Sequence, residues 1–163
     1  MRIAPETEAD GAEVEALLDL CFSPGRTALS SYRLRDGVAP LAPACLVARE
    51  DGAVGGAIRF WPVRVGAARL ALLGPVAVHP TRQGEGLGAA LIRAGLARAA
   101  AVGWDRVLLV GDAPYYGRFG FVRAEGIEMP PPTNPARVLA RGDLSGLRGP
   151  VTRDLPPGGG GPT

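Results

Sequence analysis

The 163 residues suffice for one domain that buries roughly 70% of the surface its unfolded chain would expose. Apolar residues make up 47% and charged ones 21%, as in water-soluble globular proteins, and no apolar run approaches the ~20 residues of a membrane span. The net charge of +2 rests on singly scattered arginines with no lysine anywhere, which excludes a nucleic-acid stripe, a Schiff-base lysine and a Walker-type phosphate loop.

The chain starts with Met1-Arg2-Ile3-Ala4-Pro5-Glu6, without the basic and then apolar pattern of a secretory signal, so a cytoplasmic location is expected. Arg2 to Ala4 reads as a short strand. Thr7 then reads as a helix N-cap with Asp10 at the third helical position, and Val14, Leu17, Leu18 and Cys21 recur at helical spacing. Glu8, Asp10, Glu13, Glu15 and Asp19 fall on the other face, where a solvated acidic surface is expected. Ser23-Pro24-Gly25 ends this helix, and a weaker one spans Thr27 to Arg35. Cys45 to Arg49 and Val54 to Phe60 flank Glu50-Asp51-Gly52, a hairpin signal, because Asp-Gly suits turns that need positive φ. A third antiparallel strand is expected from Ala68 to Val78. A helix from Gly86 to Val102, a buried strand from Asp105 to Val110, a short helix near Pro114 to Arg118 and a strand from Ala136 to Ala140 follow. Strand, helix and strand in this order imply a crossover and a parallel pair. Residues 1–155 are expected to form a single domain, and 156–163, rich in Pro and Gly, a disordered tail.

Cys21 and Cys45 lie in apolar surroundings without metal or CxxC spacing, so both are read as buried reduced thiols and no metal site is expected. The chemistry concentrates in Val76-Ala77-Val78-His79-Pro80-Thr81-Arg82-Gln83-Gly84-Glu85-Gly86-Leu87-Gly88-Ala89. A glycine loop entering a helix leaves backbone N–H groups aimed outward and backed by the helix dipole, which makes an anion site, and Arg82 adds a positive charge at its mouth. Gly84-x-Gly86-x-x-Ala89 formally satisfies the dinucleotide fingerprint. Two features oppose that reading: five residues separate the strand from the first glycine, and the acid 20 residues on, Asp105, precedes its strand rather than following it.

The segment Gln83-x-x-Gly86-x-Gly88, behind Val76 to Pro80 and ahead of an apolar helix, resembles the acetyl-CoA-binding motif of the GNAT superfamily of N-acetyltransferases. The apolar strand Val107 to Val110 and the run Tyr115-Tyr116-Gly117-Arg118-Phe119-Gly120-Phe121, similar to the family's Y-x-x-x-G-F ending, follow in family order. The run Leu108 to Phe121 is especially similar to a bacterial subgroup of predicted acetyltransferases. The resemblance covers roughly Ile3 to Val122. It implies an α/β fold with a mixed antiparallel and parallel sheet, splayed at the cofactor site and flanked by helices. It also implies acetyl-CoA as acyl donor, with the pantetheine arm on Val76, Ala77 and Val78 and the pyrophosphate on the amides of Gln83, Gly84, Glu85, Gly86, Leu87, Gly88 and Ala89. Pro75 fits a strand whose ladder is interrupted nearby.

By the same resemblance Tyr116 protonates the departing thiolate, and a phenol with an ordinary pKa near 10 holds its proton at neutral pH. A main-chain N–H near Val78 stabilises the oxyanion. No carboxylate lies on the central strands to act as general base, and His79, the one histidine, reads as a loop residue. Asp112 stands near the place where many relatives carry an asparagine that contacts the cofactor; loop ordering, pantetheine contact and proton acceptance are all open to it. The acceptor is a small-molecule or peptide amine, with Arg33, Arg59, Arg64 and Arg118 available for an acidic group on it, although isolated surface arginines are the plainer reading. The family also admits a homodimer. Two other classes compete: a non-catalytic acyl-CoA-binding module, since a base is missing, and a NAD(P)-binding oxidoreductase.

Overall fold

A computed structural model describes residues 1–22 and 30–155. The helix stop at Ser23-Pro24-Gly25, the first residues of the helix expected from Thr27 and the Pro/Gly tail lie outside the described residues. In chain order the elements are β1 (Arg2–Pro5), α1 (Gly11–Phe22), α2 (Ser30–Arg33), β2 (Leu46–Glu50), β3 (Ala53–Val65), β4 (Ala68–Val78), α3 (Leu87–Ala101), β5 (Val107–Val110), α4 (Ala113–Tyr116), β6 (Val122–Arg123), β7 (Ile127–Glu128), β8 (Val138–Arg141) and β9 (Gly149–Arg153). No helix among the described residues is long and apolar enough to cross a membrane.

The sheet runs β1-β2-β3-β4-β5-β8-β6, with β9 added to the far half of β3 and β7 paired to β9. The β2–β3 hairpin turns on Asp51 (φ 53°) and Gly52 (φ 80°), the positive-φ pair that the Asp-Gly dipeptide promises. β3 continues to Val65 rather than ending near Phe60. Pro62, which cannot donate to a ladder, hides the continuation in the sequence, yet it sits opposite Ala71 within the β3–β4 ladder. The strands β7 and β9 have no alternating pattern of useful length and were not foreseen.

Side-chain alternation distributes the helices. Leu46, Ala48, Ile58, Phe60, Ala71, Leu73, Val107 and Leu109 turn to one face and meet Leu91, Ile92, Leu96 and Ala99 of α3. Val47, Val54, Ala57 and Ala77 turn to the other and meet Val14, Leu17 and Leu18 of α1. Close approach of α3 needs a glycine: a Cβ at Gly95 would lie 2.6 Å from the Phe60 ring. The N-terminus of α1 is prepared by a single 3-10 turn, Glu8–Asp10, where the Asp10 carboxylate accepts the Thr7 N–H at 2.7 Å. The acidic face of α1 is less solvated than expected. Asp10 is buried and pairs with Arg49 at 2.6 Å, Glu13 joins the same guanidinium at 2.8 Å, and Glu15 reaches Arg59 at 2.6 Å, so the face ties α1 to β2 and β3.

The feature that positions the site is a break between β4 and β5. Their parallel pairing extends only over Ala71–Val107 and Leu72–Leu108. Beyond Leu72, β4 keeps its antiparallel ladder with β3 but gains an extra residue: Phe60 faces Leu73, while Ile58 faces Val76. Gly74 (φ 141°) occupies the resulting bulge, and the Trp61 indole N–H holds its carbonyl at 2.9 Å. β5 meanwhile stays with β8 through Val110. The two strands therefore part, and the β5-facing edge of β4 from Leu73 to Val78 has no strand partner among the described residues.

Candidate active site

Two recesses meet at this parting. The first is lined by Cys21, Phe22, Val76, Ala77, Val78, Gln83, Gly88, Ile92, Tyr115 and Tyr116, and it runs along the free edge of β4 to the start of α3. The second lies beyond the bulge, between α2 and the parted strands, with Phe22, Tyr32, Arg35, Gly74, Val110 and Tyr116 among its walls. Phe22, Val76 and Tyr116 belong to both, so they mark the junction.

At the outer end of the first recess the glycine loop has the expected form. Gly84 (φ 87°) and Gly86 (φ 80°) take the left-handed conformation, and Gly86 is the residue from which α3 starts. A Cβ at either would meet nothing within 4 Å among the described residues, which leaves the backbone there accessible to a ligand. The first bond of the helix is Ala90 N–H to the Gly86 carbonyl; the N–H groups from Gln83 through Ala89 have no protein acceptor among the described residues. Consecutive unpaired amides at a helix N-terminus fit a pyrophosphate. Before them, His79 accepts the Thr81 N–H (3.2 Å) at its Nδ1 and shapes the turn Pro80–Arg82, which is the loop role expected of it. Arg82 shares its charge with carboxylates: Glu50 takes its guanidinium at 2.9 Å and Glu85 stands 3.8 Å away.

The inner end is built by α4 and the turn after it. Asp112 is exposed, lines neither recess, and accepts the Tyr115 N–H at 3.2 Å, so its side chain caps α4. That cap sets Tyr115 and Tyr116 edge to face with centroids 5.0 Å apart, and Phe119 and Phe121 pack behind the Tyr116 ring at 6.2 and 6.0 Å. Tyr115 leans toward Gly88 at the glycine-loop end, whereas Tyr116 alone of the pair reaches the junction. Burial raises the Tyr116 phenol above its ordinary pKa, aided by the neighbouring Tyr115. Cys21 is only partly buried, contrary to expectation: it lines the first recess and points its thiol at the Val78 carbonyl, 3.4 Å away. No carboxylate lines either recess among the described residues.

Of the arginines offered from the sequence for an acidic substrate, Arg59 is held by Glu6 and Glu15, Arg64 by Asp154, and Arg118 lies on the Tyr115 ring. None of these, nor exposed Arg33, lines the second recess. Phe22, Tyr32 and Arg35 do, and the sequence had not singled them out for a site. Phe22 ends α1, and the only signal of Tyr32 and Arg35 is membership of a weakly patterned region between α1 and β2.

Comparison with known proteins agrees with this geometry. Residues 12–121 match the model of the acetyltransferase (GNAT) family. The uncharacterized N-acetyltransferase YhbS of Escherichia coli strain K12 is 36% identical over 125 residues, 74% of this chain and 73% of YhbS. The crystal structure of E. coli YhbS in complex with CoA superposes with a TM-score of 0.79 at 30% identity, covering 94% of this chain and 89% of that one. A GNAT family acetyltransferase from Brucella melitensis, crystallised with acetyl-CoA, gives 0.73 at 34% identity over 94% of this chain and 95% of its own. A sheet parted after Leu72, a glycine loop of unpaired amides and a sequence match across both lead to one assignment: the chain belongs to the GNAT family of N-acetyltransferases.

Proposed function

We propose that the chain transfers the acetyl group of acetyl-CoA directly to a primary amine, with the donor in the first recess and the acceptor in the second. The observation that carries this reading is the run of unpaired amides from Gln83 to Ala89, continuous through the free β4 edge with a tyrosine at the junction of the recesses. Bound acetyl-CoA supplies an acetyl group activated as a thioester. The loop amides and the α3 dipole hold its pyrophosphate, and the β5-facing edge of Val76 to Val78, whose other edge is in the β3 ladder, orients the pantetheine arm. An amide of the same stretch stabilises negative charge on the thioester oxygen as the amine attacks. Tyr116 holds a proton on its Oη and passes it to the sulfur as the C–S bond breaks and the C–N bond forms. With no carboxylate in either recess among the described residues, the amine has to arrive neutral or lose its proton to water.

The test is an amine panel with acetyl-CoA and thiol-release detection, run beside thermal shifts with CoA and NAD(P). Stabilisation by CoA and thiol release with some amine are expected. Stabilisation by CoA without acetylation of any amine would leave a binding module, and stabilisation by NAD(P) alone would overturn the reading.

A further inference from the structure

The second recess contains a charge that the transfer reaction does not use. Arg35 lines it with the flat face of its guanidinium 3.7 Å from the Tyr32 ring centroid and 5.1 Å from that of Trp61. Its Nε is buried and has no hydrogen-bond partner among the described residues; Tyr32 and Glu15 favour its charge, but burial outweighs them and pushes its pKa down. The contrast with the other semi-buried arginines is sharp. Arg49, Arg59 and Arg64 are each closed by Asp or Glu at 2.5 to 2.8 Å. A guanidinium cannot shed its proton to escape desolvation, so one that burial outweighs gains from a further anionic partner. Its Cζ lies over two aromatic rings, and the recess that it lines holds no carboxylate among the described residues, so a planar oxyanion placed there would balance it.

Resting on the proposed transfer reaction, we infer that the acceptor is a small molecule carrying both a primary amine and a carboxylate, with the carboxylate on Arg35 and the amine at the Tyr116 junction. The rest of the recess supports that division. Phe22, Leu73, Pro75, Val76, Leu109 and Val110 give it apolar walls that suit the carbon skeleton between the two charged ends. Among the described residues Arg35 is the one cation on those walls, so a singly charged carboxylate balances it where a doubly charged phosphonate would not.

The experiment compares amino carboxylates of increasing chain length with their carboxamide and aminophosphonate counterparts, in the wild type and in Arg35→Gln and Arg35→Lys. A charge-assisted pair inside a partly dry recess corresponds to roughly 10- to 100-fold in kcat/KM for carboxylate over carboxamide. Arg35→Gln should bring that ratio to about 1 through the acceptor KM, with thermal stabilisation by CoA unchanged. Arg35→Lys should restore part of it, since it keeps the charge but loses the fork. A wild type that favours carboxamides or phosphonates, or a variant that keeps the carboxylate preference, overturns the inference. Should no amine be acetylated, the transfer reading fails separately. The same compounds are then scored by thermal shift of the CoA-bound protein, where only the wild type should respond to the carboxylates, and no response overturns the inference.

Discussion

Gly111 sits just past β5, and a Cβ there would lie 2.5 Å from Cε2 and 2.9 Å from Cδ2 of Tyr116, and 3.0 Å from a Leu109 methyl. Its backbone accepts alanine, since its φ is not among the positive ones. Gly111→Ala therefore keeps the phenol and moves it. Carbon atoms settle near 3.5 to 4.0 Å, so the ring has to shift by about 1 Å. Phe119 and Phe121 block retreat, which leaves movement toward the junction. Overpacking of this kind costs about 1–3 kcal/mol, or a Tm lower by roughly 2–10 °C. A misplacement of about 1 Å in a catalytic group costs on the order of 100-fold, equivalent to about 2.7 kcal/mol in the barrier. Steady-state kinetics at 25 °C, with the amine selected by the panel, should show kcat down by that factor and the acetyl-CoA Kd within about 3-fold of wild type, because the loop is untouched. Tyr116→Phe should lose roughly 100-fold or more by removing the proton itself. The diagnostic is the double variant: if both act through one phenol, Gly111→Ala should cost less than about 3-fold in the Tyr116→Phe background. Full multiplication of the two losses, or wild-type turnover in Gly111→Ala, would refute the role given to Tyr116.

Gly86→Ala forces a left-handed φ of 80° on a residue with a Cβ and places that Cβ on the open side of the loop, so calorimetry should find acetyl-CoA bound at least about 10-fold more weakly for a stability loss of about 1–2 kcal/mol. Since burial raises the Tyr116 pKa above the ordinary value of 10.0, kcat/KM should climb with pH as the amine deprotonates and show no falling limb below about pH 10; an alkaline limb near 8 or 9 would contradict this proton donor. The same shift makes neutral Tyr116 a stabilising group below its unfolded pKa, a contribution lost only as pH rises through the higher folded value. Asp154 is buried, which opposes its ionisation, but hydrogen bonds from Arg69 and Arg64 outweigh this and hold its pKa below 3.8. Its stabilisation is present above the unfolded pKa and lost as pH falls through the folded one. Asp154→Ala should lower stability at pH 7 by roughly 1–2 kcal/mol, less than for a fully buried pair because both guanidiniums reach solvent. In denaturant titrations the gap between wild type and variant should be narrower at pH 3 than at pH 7.

The elements legible in the sequence are those whose burial imposes a period. Val14, Leu17 and Leu18 on α1, the Asp51-Gly52 turn and the glycine-started α3 each follow from a local physical demand, and each lies within a few residues of its expected place. Where pairing is supplied by a distant segment, the local pattern is silent. The far half of β3 is held by β9, whose residues arrive from the other end of the chain, and the ion pairs from α1 to Arg49 and Arg59 span 36 and 44 residues. A charge in a helix pattern looks solvated until the partner strand is known.

The same distinction separates the two halves of the site. The donor half is a backbone device, and backbone devices leave a signature in residue type, because only glycine takes φ near 80° without strain at Gly84 and Gly86. The acceptor half is made of side chains on short elements around α2. Tyr32 and Arg35 are common residue types whose meaning arises from being stacked in a recess that no carboxylate lines among the described residues. Four arginines were open to an acidic substrate on sequence grounds, and the fold disposes of Arg59 and Arg64 by pairing them and of Arg118 by laying it on Tyr115. Arg35, which no pattern distinguished, is the one that lines the recess at the parted strands, so the inferred preference for an amino carboxylate rests on a side chain whose setting only the fold discloses, and on no motif.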